Sequence, residues 1–245
     1  MGFLTGFGGG CDTLFGMVSQ CHLSGHTPLT TFPTLEALQR GHDGLRALLF
    51  DMDGTLLRTE EIHGEVLRRM ALQWRVRPPF PPAELEEHLK GMSDAQVWGL
   101  ARGWENFPQE LTADDFIAEK NHQLLALIPA LDPAQWSSPA LATLLSDARS
   151  AGISRAVVTS SERVVTDQLL SRAGLASLFD LVITLQDVSR PKPAPDPYLQ
   201  AMIRLGVGPR EAVVFEDSPT GLAAARASGA RVLEVDWWRG FSAGG

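Results

Sequence analysis

Residues 47–57, ALLFDMDGTLL, constrain this chain more than any other stretch. Four apolar residues, Ala47-Leu48-Leu49-Phe50, run without alternation into two carboxylates one residue apart, Asp51 and Asp53, followed at once by Gly54 and Thr55. An apolar run of that length predicts a strand buried on both faces, and the glycine predicts the turn out of it. In a parallel sheet, ligands bind in the crevice beyond the carboxyl ends of the strands, so both acids are expected to line an active site. Two ionised carboxylates this close repel each other, and burial worsens the repulsion. A divalent cation relieves it, and an all-oxygen ligand set of this kind suits Mg²⁺. With the metal on one side, Asp51 is placed to act as nucleophile and Asp53 as acid and base.

The chain beyond this stretch divides into two patterns. Residues 60–74 predict a helix, because Ile62, Val66, Met70 and Trp74 recur every four positions. Pro78, Pro79, Pro81 and Pro82 break it, a shorter helix is expected over 83–89 and another over 93–104. Thr112 with Asp115 opens a further helix reaching about residue 128. From Ser138 onward strands and helices alternate: strands are expected at 155–159, 181–184, 212–215 and 231–235. Helices are expected from Pro139 to Gly152, from a Ser161 cap to Gly174, over 195–205 and over 219–228. That alternation implies a parallel sheet covered on both faces. The expected division is an α/β core from 45–58 and 131–245, an inserted all-helical cap over 59–130, and an N-terminal extension over 1–44. The extension is glycine-rich at 6–10 and lacks core periodicity, so it is expected to be poorly ordered and dispensable, apart from a short helix near 34–40.

Each strand end carries apt chemistry. FDMDGTLL at 50–57 resembles the first motif of the haloacid dehalogenase (HAD) superfamily, in its phosphatase and phosphomutase branch. AVVTSS at 156–161 is similar to the second motif, which implies that Thr159 holds the transferring phosphoryl group. Ser160 and Ser161 add hydroxyls where helix N–H groups favour an anion. PKPAPD at 191–196 resembles the third motif, with Lys192 implied to offset charge on nucleophile and phosphoryl group. The family more often has Gly where Pro191 stands. VVFEDSPTG at 213–221 is similar to the fourth, which implies that Glu216 and Asp217 bind Mg²⁺ directly or through water. Four such signals in order are far more specific than one.

The resemblance implies a Rossmannoid three-layer core with a helical cap. It implies a Mg²⁺-dependent phosphatase acting on a small phosphorylated metabolite through an aspartyl-phosphate. Asp51, Asp53, Thr159 and Lys192 would be catalytic; Asp51, Asp53, Glu216 and Asp217 would hold the metal. Gly54, Thr55, Ser160, Ser161, His63 and Lys120 would contact substrate or phosphate. His63, the segment Glu119-Lys120-Asn121 and the loop Lys90-Gly91-Met92-Ser93 resemble cap features of β-phosphoglucomutase and its phosphatase relatives. Where the mutase offers an arginine after that serine, this chain has Asp94. An acid there repels a second phosphate, which favours a phosphatase over a phosphosugar mutase. A catalytically idle binding protein on the same fold is the alternative from another class.

A formal net charge of −8 over 245 residues disfavours non-specific nucleic-acid or anionic-membrane binding. No apolar run has the length of a bilayer span, and the early sequence lacks a secretory pattern. Cys11 and Cys21 form no disulfide framework or defensible metal motif, so a reduced, cytoplasmic protein is expected, as monomer or weak dimer.

Overall fold

The strand β1 (Ala47–Phe50) is buried along its whole length because it is the middle of the sheet. In the computed structural model, which describes residues 28–89 and 92–238, five strands lie in the order β3-β2-β1-β4-β5, and every pairing is parallel. These are β2 (Ser154–Val158), β3 (Leu181–Ile183), β4 (Ala212–Glu216) and β5 (Arg231–Glu234). Leu49 lies opposite Ala156 on one side and Val214 on the other. Successive side chains of a strand point to opposite faces. Leu48, Phe50, Val157 and Phe215 therefore meet one set of helices, and Leu49, Ala156, Val158 and Val214 the other.

The first face packs on α6 (Pro139–Ser150) and α7 (Arg163–Arg172); the second packs on α8 (Asp196–Leu205) and α9 (Pro219–Ala227). This is the three-layer α/β core. Between β1 and α6 stands the helical insertion, α2 (Glu60–Gln73), α3 (Leu85–Leu89), α4 (Asp94–Ala101) and α5 (Ala113–Leu127). Local signals set its helix starts. Ser93 with Gln96 and Thr112 with Asp115 form reciprocal capping boxes, each satisfying N–H groups that a first turn leaves open.

The N-terminal stretch departs from expectation. The helix α1 (Leu35–Arg40) forms near the expected place, capped by the Thr34 hydroxyl, but it is not loose. Leu35 and Leu38 are only 9% and 3% exposed. Upstream, Leu29 pairs with Val235, the Leu29 N–H donating to the Glu234 carbonyl at 2.7 Å. Phe32 stacks on Trp237 with centroids 4.4 Å apart. Residues 28–40 thus belong to the core's packing. Single side chains make these contacts, so no period announces them. Residues 1–27 of the expected extension lie outside the described residues, as do Lys90 and Gly91 of the expected cap loop. Among the described residues no helix is long and apolar enough to cross a membrane.

Candidate active site

The parallel register brings the two acid-ended strands side by side: Phe50 is level with Phe215, and the Asp51 N–H donates to the Phe215 carbonyl at 3.0 Å. Asp51 and Glu216 therefore leave the sheet as neighbours. Lys192 reaches between them from the loop before α8, its Nζ at 2.6 Å from Asp51 Oδ1 and 2.6 Å from Glu216 Oε1. Burial pushes the Asp51 carboxyl well above the usual carboxylate range, Glu216 pushes it further, and Lys192 acts against both. Burial works to lower the Lys192 pKa, but Asp51 and Glu216 outweigh it and hold the ammonium protonated.

Glu216 is fully enclosed, and its two oxygens accept from five donors: Lys192 Nζ, the Tyr198 hydroxyl, the N–H groups of Asp217 and Ser218, and the Ser218 hydroxyl. Tyr198 also sets its ring 5.0 Å from Lys192 Nζ, a cation–π distance. Asp51, Glu216 and Asp217 each offer an oxygen, and these atoms all lie within 4.8 Å of one another. The expected metal set thus comes together except for Asp53, whose carboxylate lies outside that group.

Asp53 instead faces the cap. Its Oδ1 accepts from the Thr59 hydroxyl at 2.5 Å and lies 3.1 Å from His63 Nε2. Its Oδ2 accepts from the Ser161 hydroxyl at 2.7 Å and stands 3.5 Å from the Thr159 hydroxyl. Burial works to raise the Asp53 pKa, but the contacts with His63, Thr59 and Ser161 prevail and hold it well below the usual range. His63 and Thr59 sit at the start of α2, so the first turn of the cap grips an acid of the core.

Above Asp53 opens a cleft of about 160 Å³, bounded by His63, Ser93, Asp94, Lys120, Ser160 and Ser161, with Leu67, Leu89 and Val97 as its apolar wall. Lys120 is only 5% exposed, and its ammonium pairs with Asp94. A lysine expected to reach substrate is thus held by the acid that departs from the mutase pattern. A second opening joins Asp51, Asp53, Thr159, Ser160 and Lys192 to Met92, Ser93 and Gln96 of the cap. Core acids and cap loop share one crevice.

Three further expectations change. Thr55, expected at phosphate, is fully buried, and its hydroxyl donates to Asp217 Oδ1 at 2.9 Å. Gly54, also expected at phosphate, is buried against Asp217. A Cβ there would lie 2.2 Å from Asp217 Oδ2, and its φ of +84° is one that side-chain-bearing residues rarely adopt. Ser161 does not cap α7; Glu162 occupies that position, and the first helical N–H, of Arg163, donates to Gln186 Oε1 at 3.0 Å. Tyr198 and Thr59 were missed, and Ser218, readable in the sequence as the cap of α9, caps it and also donates to Glu216. A threonine before a helix reads as a cap, and the lone tyrosine of the chain lies in an amphipathic helix with no marker of a polar task.

The chain is similar in sequence and in fold to several known proteins. The chain is 30% identical over 199 residues to the protein CbbY of Rhodobacter capsulatus, covering 77% of this chain and 84% of that one. It is 32% identical over 197 residues to the fructose-1-phosphate phosphatase YqaB of Escherichia coli (strain K12), covering 77% and 95% respectively. The crystal structure of CbbY from Rhodobacter sphaeroides in complex with phosphate superposes with a TM-score of 0.68 at 30% identity, over 82% of this chain and 91% of that one. Residues 45–229 match the model of the haloacid dehalogenase-like hydrolases. With the parallel core and the acid-ended strands in place, the chain belongs to the haloacid dehalogenase-like hydrolase family.

Proposed function

We propose that this chain is a Mg²⁺-dependent phosphatase that hydrolyses a small phosphorylated metabolite through an aspartyl-phosphate on Asp51. The observation that carries it is the convergence of Asp51, Lys192 and a three-acid group at the ends of two adjacent parallel strands. Buried carboxylates in excess of a single ammonium need a further positive charge, and hard oxygen donors suit Mg²⁺. Asp51 and Asp217 would be its side-chain ligands; Glu216, already accepting five donors, holds Lys192 in place. When bound, Mg²⁺ screens the charge on the nucleophile and on the phosphoryl oxygens.

An Asp51 oxygen attacks phosphorus and the bond to the ester oxygen breaks, which splits one hard step into two. In its protonated form, taken up against the pull of His63, Thr59 and Ser161, Asp53 gives the proton that lets the ester oxygen leave as an alcohol and is left ionised. It then takes a proton from the water that cleaves the aspartyl-phosphate and returns Asp51. Its hydrogen bonds from Ser161 and Thr59 favour the ionised form that this second step requires. Lys192 and the Thr159 hydroxyl stabilise charge on the transferring oxygens, which is most of what a phosphoryl-transfer site supplies.

The cleft between Asp53 and the Asp94–Lys120 pair has polar walls and one apolar side, which suits the hydroxylated tail of a sugar phosphate. A relative named as a fructose-1-phosphate phosphatase fits that class. With Lys120 neutralised by Asp94, a second phosphate has no free cation in that cleft's described lining, so hydrolysis is favoured over a mutase cycle through a bisphosphate. Phosphate release from a panel of sugar monophosphates, with Mg²⁺ and after its chelation, tests the proposal. Metal-independent release, or rapid isomerisation of β-glucose 1-phosphate without release, would overturn it.

A further inference from the structure

The carbonyl of Thr55 lies in the loop that leaves the first catalytic strand, and it accepts two indole N–H groups. Trp237 Nε1 donates at 2.7 Å and Trp238 Nε1 at 3.1 Å. Thr55 is fully buried, and the two tryptophans are 4% and 8% exposed. A carbonyl oxygen has two lone pairs, so both are occupied without water. The same residue's hydroxyl donates to Asp217 Oδ1 at 2.9 Å, and the main chain of Gly54 lies close enough to Asp217 to exclude any Cβ. Thr55 thus ties the loop both to the tryptophan pair and to an acid of the candidate metal group.

The pair is itself braced. Phe32 stacks on Trp237 at 4.4 Å and meets Trp238 edge-on at 5.7 Å. On the other side Phe215 of β4 stands 5.8 Å from Trp237. The segment carrying Phe32 is fixed beside the end of β5, since Leu29 accepts from the Asp236 N–H at 2.8 Å and donates to the Glu234 carbonyl at 2.7 Å. Phe32, Trp237 and Trp238 all lie outside residues 45–229, where the family match falls.

We infer that Trp237 and Trp238 are positioning residues: their indole N–H groups hold the Thr55 carbonyl and, through the Thr55 hydroxyl, set the Asp217 carboxylate for the divalent cation. The metal part rests on the reading of Asp217 as a ligand; the positioning of the loop does not. Hydrophobic packing alone would need the rings but not their N–H groups, and this separates the two roles.

The test compares the full-length chain with W237F/W238F, which keeps aromatic rings and removes both donors. Leu170→Ala, a core truncation in α7 that removes no indole donor and no aromatic ring, serves as the control for general loss of stability. The double variant should exchange the amides of Gly54, Thr55 and Leu57 faster than wild type, in the metal-free protein as well. Its Mg²⁺ affinity by titration calorimetry should weaken about five-fold, the order expected for losing a buried hydrogen bond. Leu170→Ala should lower Tm without either change. If the double variant does not fold, Trp238→Phe, which leaves one donor, carries the same comparison with a smaller effect. Wild-type loop exchange in the Phe variant would overturn the inference. Faster loop exchange with unchanged Mg²⁺ affinity would overturn its metal part. Should wild type bind no Mg²⁺ at all, the metal reading fails, while loop exchange still decides whether the tryptophans position the loop.

Discussion

At Gly221 a single methyl group would collide with the candidate site. A Cβ there would lie 1.6 Å from Glu216 Oε1, and Glu216 cannot retreat because it is enclosed and held by five donors. Gly221→Ala is therefore expected to destabilise the chain by about 3 kcal/mol, at the upper end for overpacking, and to cut turnover by displacing Lys192. Thermal melting and phosphate release on the same preparation check both effects. Asp51→Asn is expected to keep the fold and lose turnover by a factor on the order of 10⁴ or more, since an amide is a poor nucleophile. Substantial release by a verified Asn variant would remove Asp51 from its assigned role. Asp94→Asn is expected to free Lys120 and tighten binding of a hexose bisphosphate about ten-fold, since the like charge it removes is worth on the order of 1 kcal/mol or more. Calorimetric titration of both proteins with the bisphosphate would decide this, and equal affinities would remove the pair from substrate selection.

Among the elements, the short turn Leu185–Asp187 after β3 depends on one acid. Asp187 Oδ2 accepts from the Thr184 N–H and hydroxyl, both at 2.8 Å, and from Arg163 at 2.5 Å. Burial works to raise its pKa, but the Thr184 bonds and the Arg163 and Arg204 charges prevail and lower it. A carboxyl whose folded pKa is depressed stabilises the fold above its ordinary pKa, near 4, and loses that contribution as pH falls through the folded value. Asp187→Asn should therefore cost about 1–2 kcal/mol at neutral pH. The gap to wild type should narrow as pH drops below about 4. Melting curves from pH 7 to pH 3 measure this; a gap that widens on acidification would contradict the assigned linkage. The helix starts were readable at this scale because a cap and its third residue are neighbours in sequence, as at Thr112 and Asp115. Ser161 was misread because its hydroxyl has two possible partners, and the one it uses, Asp53, lies 108 positions away.

For the molecule as a whole, the N-terminal segment is the main departure. Deleting residues 1–44 removes Leu35 and Leu38 from the core, the Leu29 pairing and the Phe32 stack. Re-exposing the surfaces these apolar side chains cover is worth about 1.5–3 kcal/mol for each fully buried one, so a loss of several kcal/mol and a clear drop in Tm are expected. Retention of the full-length Tm by that truncation would restore the expectation of a dispensable extension.

The sequence by itself determined the parallel core, the order of its strands and helices and the identity of the two acid pairs. An unalternating apolar run ending in acids is a local pattern, and so are helix caps and glycine stops. The tertiary structure decided where each polar group is used. Thr55 donates to Asp217, Lys120 pairs with Asp94 at the wall of the cleft, and Asp53 turns from the acid cluster to the cap. Tyr198 and the tryptophan pair came to the site from helix and chain end. The reason is physical. A buried hydrogen-bonding group must find a partner, and which partner it finds depends on the strand register and helix packing that bring distant residues within about 3 Å.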